Sequence, residues 1–313
     1  MNIPTFNIKK ILVPVNISTI GESFQQNVIL YATKAKAEVV LIVVLDGPEV
    51  KHEEMRYDPL THDHFIFDDT RISETRRQLD KYKALFTDKG ITTSYIIERG
   101  KPYKKIPTIA KAILADIIIL DCKDTSIARE EESLDCGDAF KIISEAACPV
   151  LSIKNMPVKG GIENILLPFH DKPHSRESVE YAIYMAKLFD ATLHILGTSY
   201  DTSDEGVNKI QLEADQIKQI LEERNIKNTI NVTKGKYDSK LIDIYAERYS
   251  ADMLIIMADV DKRSITEYII GPVLEKLINH SEIPVLSIRP AYNAHILESE
   301  SEPVNSVSWK FWN

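Results

Sequence analysis

The sequence predicts an α/β protein with two tandem, doubly wound domains, each built on a five-stranded parallel sheet. The first observation is a pair of short apolar runs, at residues 117–120 and 253–257, each preceded by Ala-Asp. Such runs, bounded by polar residues, are typical of strands buried on both faces. The second observation is that segments with helical spacing alternate with these strands, which indicates parallel strands joined by right-handed crossovers.

The third observation is an internal repeat. Ile-Leu-Val-Pro at residues 11–14 corresponds to Ile-Leu-Leu-Pro at 165–168, and the segments at 39–45 and 193–199 follow in the same register. After an insertion in the first half, Asp116 corresponds to Asp252 and Pro149 to Pro284, each proline opening a Pro-Val-Leu-Ser-Ile strand. A register kept over so many elements predicts two copies of one domain.

In the first copy, strands are predicted at residues 9–15, 39–45, 91–97, 116–121 and 149–153. Helices are predicted at 23–37, 72–89, 102–114 and 139–146, with a long charged connection after the second strand. The domains are expected at residues 1–156 and 162–290, joined by a linker at 157–161 that contains Pro157 and Gly160-Gly161. Residues 291–313 form an acidic and aromatic C-terminal tail.

Composition and charge exclude several classes of protein. The 313 residues carry a formal net charge of −9, whereas a nucleic-acid binder needs a basic face. No apolar run reaches the roughly 18 residues of a membrane span, and the N-terminus has no apolar segment of signal-peptide type. Cys122, Cys136 and Cys148 fit no zinc or redox spacing. We therefore expect a cytoplasmic protein with reduced thiols.

With these elements in order, each half resembles a universal stress protein domain, and the chain is similar to the tandem members of that family over about residues 7–154 and 162–290. The residues that carry the resemblance are the two opening Ile-Leu-Val/Leu-Pro strands, the Gly-Lys turns at 100–101 and 235–236, and the two Pro-Val-Leu-Ser-Ile endings. The resemblance implies the adenine nucleotide alpha hydrolase-like fold. It also implies pairing of domains through their fifth strands and, in one branch of the family, ATP binding.

The phosphate-binding motif that the resemblance implies is degenerate in both halves. Members that bind ATP carry Gly-x-x-Gly after the fourth strand and a later Gly-Ser/Thr, because glycines let backbone N–H groups approach phosphates. Here the early glycines are missing, and the later pair reads Gly137-Asp138 in the first half and Gly271-Pro272 in the second. The Asp138 carboxylate would repel a phosphate, and Pro272 lacks the backbone N–H.

The residue at the end of the first strand of each half also differs from the one that the resemblance implies. The acidic residue that faces the nucleotide in the family corresponds to Asn16 in the first half and to His170 in the second. Asp171 follows His170 and could compensate in part, although its side chain is expected to point elsewhere. We therefore expect no cofactor and no catalytic residue, with ATP binding by one half as the alternative.

Two histidine clusters are candidate ligand sites. His62 and His64, beside carboxylates in the first-half connection, could bind a transition metal. The alternative is a solvated loop or a flap over the domain interface. His170, Asp171 and His174 form a second cluster at the carboxyl end of a strand, where ligands of open α/β sheets bind.

The C-terminal tail has a carboxylate at every second residue from Glu298 to Glu302, and its last residues include Trp309 and Trp312. It is either a loose end or a segment that docks on its own surface or a partner's.

The sequence thus predicts a stress-response protein that acts through binding or association. We expect a homo-oligomer through the fifth-strand edges and an unidentified protein partner, without nucleic-acid or membrane binding. The alternatives are a nucleotide-dependent switch or slow ATPase with one functional half, and a metal or small-molecule sensor.

Overall fold

The computed structural model describes residues 6–16, 21–45, 47, 55–58, 63–66, 70–122, 136–154, 161–170, 175–199, 201, 203–234, 237–258, 260–262 and 268–290. The strands are β1 Lys10–Pro14, β2 Glu38–Leu45, β3 Met55–Asp58, β4 Asp63–Ile66, β5 Thr93–Arg99, β6 Ile117–Asp121, β7 Val150–Ile153, β8 Asn164–His170, β9 Thr192–Thr198, β10 Asn228–Thr233, β11 Met253–Met257, β12 Val260–Lys262, β13 Tyr268–Ile270 and β14 Val285–Ile288. The helices are α1 Glu22–Ala35, α2 Thr70–Thr87, α3 Pro102–Ala112, α4 Cys136–Glu145, α5 Ser178–Phe189, α6 Asp204–Glu223, α7 Ser239–Arg248 and α8 Pro272–His280. Within these ranges, none of the helices combines the length and the apolarity needed to cross a membrane.

Each half contains the predicted five-stranded parallel sheet. The first half has the order β7-β6-β1-β2-β5 and the second half has β10-β9-β8-β11-β14, so strand one lies beside strand four in both. All neighbours within these two sets are parallel. The alternating α/β prediction is therefore confirmed, and the reversal of strand order between strands one and four places a crevice at their carboxyl ends.

Two hairpins were not predicted. The charged connection of the first half contains β3 and β4, an antiparallel pair that extends the sheet beyond β5, where His64 pairs with Ile96. In the second half, β12 and β13 form an antiparallel hairpin between strand four and the last helix. Strands of three or four residues with mixed polarity are too short to give a recognisable alternation of apolar and polar residues.

The two halves share one continuous sheet because the fifth strands pair with each other. β7 and β14 are antiparallel, with Leu151 opposite Leu286 and Ser152 opposite Val285. β7 therefore has β6 and β14 as neighbours, while β14 has β11 and β7. The expected homo-oligomer stays a prediction, but a further copy would need a surface other than these two strands, since both of their sides are occupied within the chain.

Two cations at equivalent positions of the repeat form hydrogen bonds between the two halves. Arg289, just after β14, donates from Nη1 to the Ala146 carbonyl at the end of α4, at 2.9 Å. Lys154, just after β7, donates to the Asn279 carbonyl in the last turn of α8. Each half thus places a cation on the negative end of the other half's last helix, where unpaired carbonyls need donors.

The repeated aspartates brace strand one to strand four. In the first half, Asp116 Oδ2 accepts hydrogen bonds from the backbone N–H groups of Lys9 and Lys10, at 2.7 and 2.8 Å. In the second half, Asp252 Oδ2 accepts from Glu163 and Asn164, at 2.8 and 2.9 Å. The aspartate of the repeated Ala-Asp pair therefore has a structural role in both halves.

The core has two layers, one on each face of the sheet. On one face, α1, α2, α5 and α6 cover inward-facing strand residues such as Ile11, Leu151 and Leu286. On the other face, α3, α4, α7 and α8 cover Leu12, Val150 and Val285. Both layers run across the joint, since each contains residues of both halves.

Candidate functional site

In the second half, the position at the end of strand one is filled by packed side chains. His170, the last residue of β8, is 2% exposed, and its backbone N–H donates to Ser175 Oγ at 3.0 Å. Its ring meets the ring of Tyr237 edge-on, with centroids 4.5 Å apart, and Tyr237 is itself 5% exposed. The two rings thus pack against each other at the carboxyl end of β8. Asp171 and His174, the other members of the expected polar cluster, lie outside the described residues.

The segment after strand four of the second half contains a hairpin where the resemblance implies a phosphate-binding loop. β12 and β13 pair with Val260 opposite Ile270, and β13 contacts α4 of the first half. Gly271 is the N-cap of α8 and Pro272 is its first residue. Because proline has no N–H, the first turn of α8 offers one fewer donor to an anion.

In the first half, α4 begins at Cys136, earlier than the predicted residue 139. Gly137 and Asp138 therefore lie in the first helical turn, where a carboxylate is favoured by the helix dipole. The Asp138 carboxylate lies 3.3 Å from Lys141 Nζ, and that ammonium is 4.5 Å from the centre of the Tyr103 ring. A carboxylate with its own cation thus stands at the helix end that would face a phosphate.

The remaining positions of the first-half crevice are Asn16 and Asp121. Asn16 follows β1 and is partly exposed, whereas its counterpart His170 is buried. Asp121 ends β6 and is also partly exposed. Residues 123–135, which follow β6 and Cys122, lie outside the described residues. Asn16 is thus more open to solvent than its counterpart in the second half.

The described side chains do not include the two histidines of the metal hypothesis, which stays a prediction. His62 lies outside the described residues, and for His64 only the backbone of β4 is described. Among the residues whose side chains are described, no three His, Cys, Asp or Glu side chains come together as a metal site.

Burial raises the pKa of the Cys148 thiol to about 12, so this cysteine is protonated near neutral pH and is a poor nucleophile.

Sequence analysis missed a groove at the opposite edge of the sheet. Its volume is about 690 Å³, and it lies between α1 of the first half and the amino ends of β8 and β9 of the second. Polar side chains line much of it, among them Gln26, Lys34, Glu163, Asn164 and Lys227. Because the groove exists only where the two halves meet, no local sequence pattern indicates it.

The carboxyl-end crevices and the strand order define the class of protein. Residues 161–289 match the model of the Universal stress protein family. Over the whole chain, a universal stress protein from Archaeoglobus fulgidus DSM 4304 has a TM-score of 0.65 at 16% identity, covering 91% of this chain and 97% of that one. A functionally unknown protein from Pseudomonas aeruginosa PAO1 has a TM-score of 0.64 at 18% identity, covering 93% and 96%. No curated protein matches the chain.

The second half therefore matches the universal stress protein family model, and the first half repeats the strand order of the second. The chain has the architecture of a tandem universal stress protein, as the resemblance implied.

Proposed function

We propose that this chain is a cytoplasmic stress-response protein of the universal stress protein family that does not bind ATP and acts by association with other molecules. The observation that carries this proposal is the buried contact between His170 and Tyr237 at the end of strand one. An adenine ring needs an open, mostly apolar slot, and inserting one there would require both rings to move out of their packing.

The phosphate end of each site supports the same conclusion. In the second half, Pro272 removes a donor from the helix that would face the phosphates. In the first half, the Asp138 carboxylate would repel them, and Lys141 is already engaged with that carboxylate. The second half thus has unfavourable residues at both the base end and the phosphate end of the site, and the first half has them at the phosphate end. This favours a role without nucleotide turnover.

A second candidate is a nucleotide-dependent switch in which the first half binds ATP. The partly exposed Asn16 favours it, because this position is more open than the buried His170. Asparagine can also hydrogen-bond a base, although it lacks the charge of the family's acidic residue.

Isothermal titration of the intact chain with Mg-ATP separates the two candidates. We expect no binding heat at ligand concentrations that would saturate a micromolar site. Micromolar binding would overturn the proposal, and the variants Asn16→Leu and His170→Leu would then assign the nucleotide to one half. If binding is present and only Asn16→Leu removes it, the first half holds the nucleotide, as the second candidate requires.

A further inference from the structure

A row of lysines runs along α3, from Lys101 at its N-cap to Lys104 and Lys111 on the helix. Only Lys104 has a described carboxylate near it, that of Glu145 on α4, and the two do not form an ion pair. Lys101, Lys104 and Lys111 are exposed, and with Thr108 they follow the helical spacing of one face. None of the three forms an ion pair with another described residue, whereas Lys105 on the same helix is 3.5 Å from Glu98. Residues 100–115 contain no acidic residue. We call this face, Lys101, Lys104, Thr108 and Lys111, the basic stripe.

The basic stripe is unusual in this chain. The net charge of the protein is −9, and exposed lysines elsewhere often have partners, such as Lys227 with Asp190 and Lys234 with Asp204. The equivalent helix of the second half, α7, has no such stripe, since Lys240 and Arg248 alternate there with Asp243 and Glu247. The repeat therefore does not require the stripe for folding.

An apolar residue borders the stripe. Leu114, two residues beyond the end of α3, is 80% exposed and has a left-handed backbone, with φ of 55°. A large apolar side chain in solvent just beyond the Lys111 end of the stripe suits a partner that carries both carboxylates and apolar rings. Lys104 and Lys111 are separated by two helical turns, about 10 Å, which an extended acidic segment can span.

The last described residues are connected to α3 through α4. Arg289 bonds to the end of α4, and α4 packs against α3. The carboxylate of Glu145 on α4 interacts electrostatically with both Lys104 and Arg289. The segment that follows Pro290 is residues 291–313. It carries Glu298, Glu300 and Glu302, then Trp309, Phe311 and Trp312.

We propose that the basic stripe and Leu114 are the docking surface for the chain's own C-terminal segment, residues 291–313. The glutamates face the lysines, and the aromatic residues cover Leu114. Charge complementarity selects this occupant, and covalent attachment after Arg289, which bonds to the end of the helix that packs against α3, gives it a high local concentration. Extended chain spans up to about 3.3 Å per residue, so the 23 residues between 291 and 313 reach the whole of α3.

The tryptophans provide a direct test, since both tryptophans of the protein lie in this segment. The emission of the intact chain is compared with that of a synthetic peptide of residues 291–313. We expect emission from the intact chain to be blue-shifted and less quenched by iodide and by neutral acrylamide, and 1 M salt to reduce both differences, because the Debye length then falls to about 3 Å. Emission and acrylamide quenching equal to those of the peptide at low salt would overturn the proposal.

Charge-reversal variants locate the surface. Lys104→Glu combined with Lys111→Glu should move the emission to that of the free peptide, whereas the matched control, Lys209→Glu with Lys240→Glu, should leave it unchanged. Far-ultraviolet circular dichroism checks that all variants are folded. Adding Glu298→Lys, Glu300→Lys and Glu302→Lys to the α3 variant should restore the blue shift, and failure of this rescue would overturn the charge assignment. A shift that disappears on dilution would assign the surface to a second copy and refute docking within one chain.

Discussion

Replacement of Asp252 by alanine should destabilise the protein substantially. Its Oδ2 accepts two backbone hydrogen bonds, from Glu163 at 2.8 Å and from Asn164 at 2.9 Å. A hydrogen bond to a charged group contributes about 1.5–3 kcal/mol, and the lower value applies because Asp252 is partly exposed. We therefore expect the free energy of unfolding to fall by about 3 kcal/mol in Asp252→Ala, with a smaller loss in Asp252→Asn, which keeps one acceptor oxygen.

The repeat supplies an internal replicate of this experiment. Asp116→Ala removes the equivalent pair of bonds, at 2.7 and 2.8 Å, and should cost a similar amount. Asp88→Ala, at an exposed carboxylate after α2, is the control and should change stability by less than about 0.5 kcal/mol. The assay is urea unfolding followed by far-ultraviolet circular dichroism. Equal stability of the Asp252 variant and the Asp88 control would refute the brace.

Three further predictions use the same assay. Ser287→Ala should be neutral or stabilising, because the Ser287 hydroxyl is buried with no hydrogen-bond partner among the described residues. The control Ser178→Ala should destabilise the protein by about 1 kcal/mol, since the Ser178 hydroxyl donates to a carbonyl. A larger loss of stability in Ser287→Ala than in Ser178→Ala would contradict this. Burial lowers the pKa of His194 below its ordinary value of 6.5. Stability should therefore be level above about pH 6.5 and fall as the pH drops, because the unfolded chain binds the proton more readily; His194→Gln should have a shallower acid slope, and an unchanged slope would contradict the assignment. Gly197→Ala should cost about 1–3 kcal/mol, because a Cβ there would lie 2.8 Å from Ile210 Cγ2; wild-type stability would show that the helix above β9 can move.

The sequence determined the repeat and the parallel sheet, because buried strands need continuous apolar runs and those runs are visible in one dimension. The resemblance to the family's motif also predicts changed nucleotide-site positions at Asn16, Asp138, His170 and Pro272. That these residues belong to a nucleotide site stays a prediction.

Only the tertiary structure decided how those positions are filled. The contact of His170 with Tyr237 joins residues that are distant in the chain, and β12 and β13 are too short to carry a pattern. The basic stripe is likewise defined by which carboxylates lie near α3 in space. Spacing along a chain reports which face of an element is apolar, but the partner of a polar side chain depends on packing between elements.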